Sequence, residues 1–262
     1  MRKTCVAVAL WLCAGLGFAQ APAGGATGPL AYPEPDSSAA WRSLAASYVR
    51  KAVRDQKLDK DPVLNARIDA VMAAVGAAVA GIDPRFTGAT ASWKAILIEG
   101  FGRGAAAFPG ETILVDSTFV RNLSLSDDEL ALILSHEAAH VVARHASKKL
   151  SFMADFLGKE KVPTARTALL EFLAKDSYAT EFQPRARQQE READTVGAAI
   201  FFAAGYDLQR ALTLFDKLAD LETRGSGHGQ ASDTHDSAAT RKQIVAAVIA
   251  GLQARQTPGE QR

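Results

Sequence analysis

The pentapeptide His136-Glu137-Ala138-Ala139-His140 constrains this chain more than any other feature. The segment around it reads as a helix. Ser126 and Glu129 have the spacing of a capping box, and Asp127 and Asp128 place negative charge at the positive end of the helix dipole. Leu130, Ile133, Leu134, Val141 and Val142 supply a broad apolar surface that would bury such a helix in a core. Residues four apart lie one turn apart on the same face, so the His136 and His140 imidazoles can point at one ion. Glu137, offset by one residue, can reach a water on that ion but is poorly placed as a ligand. The competing reading is two histidines on a solvated helix, and the apolar flanks speak against it.

A catalytic metal site of this kind needs a third protein ligand and an open position for water. Glu190-Arg191-Glu192-Ala193-Asp194 opens a second apolar helical run over 196–204, with Glu190 and Asp194 one turn apart. Glu190 is expected to complete the ligand set, and Asp194 to accept a hydrogen bond from a ligand imidazole. Cys5 and Cys13, the only thiols, both lie near the N-terminus. Cleavage of that N-terminal segment would leave no thiol, so the metal is expected to draw on His and carboxylate groups, with one Zn2+ per chain as the expected cofactor.

Arg2 and Lys3, an apolar run over 6–18, and small residues around Gly17 and Ala19 have the order of a secretory signal peptide, expected over 1–19. The run is shorter than the roughly 20 apolar residues of a spanning helix. Residues 20–38, rich in Ala, Gly and Pro, read as a flexible leader. One domain is expected over 39–255, with a C-terminal tail at 256–262. The formal net charge of +1, with no basic block, gives no push toward nucleic acid.

Within the domain, Trp41, Leu44, Tyr48 and Val49 share a helical face. Asp61-Pro62 resembles a helix start, with Asp as N-cap. The helix it opens runs to Ile82, and Arg67 and Asp69 make it a buried amphipathic helix rather than a membrane span. Strands are expected over 93–98 and 112–115. Beyond 117 the chain reads as helical, broken at Pro163, at Pro184 and by a loop over 223–236. The fold class is α+β: mostly helix around one small sheet, with the His136–His140 helix at its centre.

These motifs resemble the gluzincin metallopeptidases, and more finely the HtpX-like family that includes the CAAX prenyl proteases. Asp128-Glu129-Leu130-Ala131 looks like the family's lead-in to the motif, and Val141, Arg144 and His145 match its continuation. The segment from Glu190 to Asp194 matches a Glu-x-Glu-Ala-Asp pattern, and Thr234-His235 followed by Arg241 resembles a Thr-His-Pro segment with a later Arg. The resemblance covers about 41–252.

It implies a zincin-type metallopeptidase domain and a zinc-dependent endopeptidase with Glu137 as general base. It further implies polypeptide substrates, among them envelope or misfolded proteins, and no transmembrane span in the mature chain. The implied location is the periplasm, either free or held at a membrane surface. Ala105, Ala106, Ala107 and Phe108 correspond to an edge strand that holds extended substrate. Gly104 stands where the family has Asn, and Asp236 where it has Pro. His235 is then either a reversible fourth metal ligand or a neighbour of the oxyanion, with Arg241 stabilising the negative charge there. Otherwise His235 caps the last helix and Arg241 makes a surface ion pair. His145 is expected to support the site rather than bind metal, and His228 to be a loop residue. A different class of function stands beside this one: a zinc-binding, chaperone-like or assembly factor with weak or no proteolytic activity.

Overall fold

The structure is a computed structural model and describes residues 29–87, 93–223 and 235–256. The expected signal peptide, His228 and Thr234 lie outside the described residues. Helix α1 spans Glu34–Arg54 and helix α2 Pro62–Ile82. The expected leader therefore ends sooner than 38: Tyr32, Ser37 and Ser38 are already buried, and Tyr32 donates to the Val162 carbonyl at 2.5 Å. Asp61 caps α2 as its sequence suggests, accepting from the Val63 and Leu64 amides at 2.9 and 3.2 Å. Helix α2 is long and apolar enough to cross a membrane by length and composition alone. Here it is a core helix, burying Leu64, Ile68, Val71, Met72, Val75 and Val79 along one face.

Strands β1 (Lys94–Ile98), β2 (Ala105–Phe108) and β3 (Thr112–Asp116) form a sheet in the order β1-β3-β2. β1 runs parallel to β3 with Lys94 opposite Thr112, and β2 runs antiparallel with Phe108 opposite Thr112, so β2 is an edge. Alternation along β3 splits the core in two. Ile113 and Val115 face the cluster built by α2 and the later helices, while Leu114 faces the cluster that contains Trp41 of α1.

The rest is helical: α3 (Ser117–Asn122), α4 (Asp127–Val142), α5 (His145–Leu157), α6 (Ala165–Ala174), α7 (Asp176–Ala204), α8 (Leu208–Ala211), α9 (Thr213–Thr223) and α10 (Ala238–Gln256). The chain is thus α+β and mostly helical, as its sequence implies. The expected break at Pro184 does not occur, because α7 runs through it. Packing explains the correction. Phe182, just before the proline, lies 5.2 Å from the Phe152 ring of α5 and 5.8 Å from the Phe172 ring of α6, and Ala186 just after it is also buried. These contacts hold the helix across the loss of one backbone donor.

Helix α4 lies at the centre. Its capping box is complete: the Glu129 amide donates to Ser126 Oγ at 3.3 Å and the Ser126 amide donates to Glu129 Oε2 at 2.7 Å. Glu129 is buried and also accepts from Lys217 Nζ and Thr213 Oγ1 of α9, both at 2.8 Å. A residue of the α4 capping box therefore also contacts α9.

Candidate metal centre

Helices α4 and α7 pack face to face, and Gly197 sets how closely. A Cβ at this position would meet the His136 Cα at 2.9 Å, the His136 nitrogen at 3.0 Å and the Ser135 oxygen at 3.1 Å. All three are backbone atoms of α4, so only glycine permits this approach. The crossing brings Glu190 to the two histidines. His136 Nε2 lies 3.1 Å from His140 Nε2 and 3.2 Å from Glu190 Oε2, and His140 Nε2 lies 3.6 Å from Glu190 Oε1. Metal–nitrogen and metal–oxygen bonds of about 2.0–2.1 Å at tetrahedral angles would separate ligand atoms by about 3.3 Å. The triad matches that spacing, and among the described residues it forms a group able to hold a metal ion.

The ring orientation agrees. Asp194 Oδ1 lies 2.9 Å from His136 Nδ1, and a carboxylate only accepts, so Nδ1 carries a proton and Nε2 is the nitrogen turned to the metal position. Arg241 clamps Asp194, with Nη2 2.8 Å from Oδ1 and Nε 3.0 Å from Oδ2. Burial raises the Asp194 pKa, but the His136 and Arg241 hydrogen bonds outweigh it and hold the carboxyl at about 2. Burial likewise opposes ionisation of Glu190, and hydrogen bonds from His136, His140 and His235 reverse this, holding its pKa far below the ordinary carboxylate range. For His136, burial and the Arg241 cation oppose protonation, yet Asp194 and Glu190 prevail and hold the ring at about 9. The pocket is thus built to hold positive charge, which a divalent cation would supply in place of that proton.

Glu137 points to the sheet. Its Oε2 accepts from the Ala107 amide of edge strand β2 at 2.8 Å. The Gly104 carbonyl turns inward, accepting from the Asp116 amide at 2.7 Å, whereas the Ala107 amide turns outward to the site. Asp116 sets the loop before β2: its carboxylate accepts from the Gly100 and Gly102 amides at 3.1 and 2.6 Å.

A sequence profile described as peptidase family M48 matches residues 64–248. The chain belongs to peptidase family M48. It is 29% identical over 160 residues to the mitochondrial metalloendopeptidase OMA1 of Arabidopsis thaliana, covering 59% of this chain and 31% of that protein. The OMA1 metalloendopeptidase of Saccharomyces cerevisiae is 28% identical over 120 residues, 45% of this chain and 34% of the yeast protein. A putative beta-barrel assembly-enhancing protease of Vibrio cholerae is 28% identical over 185 residues, 66% of this chain and 37% of the relative. The chain thus matches about a third of the length of these curated relatives.

In this M48 domain the remaining expected residues fall around the triad. His235 Nε2 lies 2.8 Å from Glu190 Oε2, with its ring centroid 6.3 Å from that of His136. It does not cap the last helix: α10 starts at Ala238, and Ser237 Oγ accepts from the Thr240 amide. Nor is Arg241 a surface ion pair, since it is largely buried against Asp194. Asp236 pairs with Arg191 through two contacts of 2.6 and 3.0 Å and ties the His235 segment to α7 beside Glu190. Gly197 and Asp116 carry no motif, so their roles are not legible within one segment. A glycine in the helical run after Asp194 was the one available signal.

Proposed function

We propose that this chain is a zinc-dependent endopeptidase, with His136, His140 and Glu190 as the metal ligands and Glu137 as the general base. The observation that carries the reading is the convergence of two imidazole Nε2 atoms and one carboxylate at tetrahedral ligand spacing, with Glu137 beside them on α4. When bound, the ion supplies Lewis acidity toward a water and the scissile carbonyl. Glu137 takes the proton from that water and delivers it to the departing amine. Asp194, itself gripped by Arg241, keeps the proton of His136 on Nδ1 and the ring in place. The outward edge of β2 offers backbone groups to an extended polypeptide. Ala107 already donates to Glu137, so the same strand aligns base and substrate.

Substrates are proposed to be envelope or misfolded proteins, with the enzyme exported to the periplasm by its N-terminal segment. Similarity to a metalloendopeptidase and to a putative beta-barrel assembly-enhancing protease supports a protease of this class. Glu137→Gln should keep its metal and lose casein cleavage by about 100-fold or more. Undiminished cleavage would rule out the assigned base.

A second reading, a zinc-holding assembly factor with little proteolysis, draws on His235, whose ring lies on the Glu190 carboxylate. His235→Ala separates the two. Faster casein cleavage identifies His235 as a cover over the site, and slower cleavage gives it a part in the reaction.

A further inference from the structure

His140 is the less obvious of the two imidazole ligands, because among the described residues no carboxylate touches it from behind. Its Nδ1 lies 2.9 Å from Nδ1 of a third imidazole, His145, and the two rings meet edge to face with centroids 4.9 Å apart. The other nitrogen of His145, Nε2, lies 3.1 Å from Glu192 Oε2, and Lys148 Nζ lies 3.3 Å from the same oxygen. His145 is 3% exposed, so its ring is shielded from water.

The proton positions follow from the last member of this row. A carboxylate only accepts, so the proton of His145 sits on Nε2, facing Glu192. Its Nδ1 is then a bare acceptor, and two facing nitrogens at 2.9 Å need one proton between them, so His140 carries its proton on Nδ1. His140 Nε2 is then the nitrogen turned to the metal position, 3.1 Å from His136 Nε2.

We infer that His145 and Glu192 are positioning residues for the metal site, a two-step hydrogen-bond relay that fixes the tautomer and ring angle of His140. Rows of this kind usually end on a carboxylate directly behind the ligand, as Asp194 does behind His136. Here an imidazole is inserted between carboxylate and ligand. The backbone makes room for it. Arg144, between α4 and α5, has a left-handed conformation at φ +56°, and this turn folds His145 back against the last turn of α4.

The inference rests on the zinc-peptidase reading, and its test keeps the two apart by reading metal affinity rather than turnover. Zinc dissociation constants would be measured on the full chain by competition with a chromophoric chelator. Melting of the metal-free proteins would be followed in parallel. The wild type should bind one zinc tightly, and a wild type with no zinc site would defeat the underlying reading. His145→Leu removes the acceptor behind His140 and should weaken zinc binding by roughly 10- to 100-fold. His145→Asn can place an amide oxygen near the position of Nδ1 and should recover most of that loss.

Glu192, a partly exposed residue, gives an arm that does not threaten the fold. Glu192→Ala should weaken zinc binding several-fold, with metal-free melting little changed. A tight-binding wild type whose affinity is unchanged in both His145→Leu and Glu192→Ala would overturn the relay. So would His145→Asn binding as weakly as His145→Leu, because packing rather than the acceptor would then be the cause.

Discussion

A Cβ at position 197 would press on backbone atoms of residues 135 and 136, which cannot rotate away as a side chain could. Gly197→Ala should therefore force α4 and α7 apart by a few tenths of an ångström or more. Overpacking of this sort costs about 1–3 kcal/mol. Thermal unfolding should show that loss, and chelator competition should show weaker zinc binding, since Glu190 and the histidines sit on opposite sides of this contact. An unchanged zinc affinity would mean that the helix spacing is not what aligns the ligands. Arg241 acts at the same scale but one shell out. Arg241→Ala leaves Asp194 with a buried, half-satisfied carboxylate, and the expected result is weaker metal binding with Glu137 intact.

Among the elements, α4 carries the most consequences, and Glu129 shows why. It closes the capping box of α4 and receives Lys217 and Thr213 from α9. Burial raises its pKa, but the Lys217 hydrogen bond, the Ser126 amide and the Thr213 hydroxyl outweigh that and lower it. A carboxylate with a depressed pKa in the folded state stabilises the protein above its unfolded value of about 4.3, and that contribution is lost as pH falls through the folded value. Glu129→Gln should cost about 2 kcal/mol near pH 7, a drop of roughly 4–8 °C in melting temperature. The gap from wild type should shrink as pH falls below about 4. A gap constant from pH 7 to pH 3 would show that the ionised carboxylate is not the source. Edge strand β2 depends on the neighbouring loop in a similar way, because Asp116 gathers the Gly100 and Gly102 amides that aim it.

Over the whole molecule, what could be seen in the sequence was what is local. The Ser126 cap, the Asp61-Pro62 start and the one-turn spacing of His136 and His140 are encoded within a few residues of one another, and each appears as expected. The Glu190 pairing was also within reach, because its helical spacing to Asp194 matches a two-sided role. What escaped depends on distant partners. Pro184 reads as a break until the rings of α5 and α6 hold the helix around it. Arg241 reads as free to stabilise charge or to lie at the surface until α10 delivers it to Asp194. Neither the 2.9 Å approach at Gly197 nor the reach of His145 to Glu192, 47 residues further on, has a signature in one segment alone.

Three donor atoms from α4 and α7 are proposed to share one divalent ion. Metal analysis of the purified chain, run beside Glu190→Ala, addresses this most directly. One zinc per wild-type chain, and a variant that gives it up readily to a chelator, is the expected result. A wild type that carries no zinc even after reconstitution, or a variant that holds it as firmly as the wild type, would contradict it.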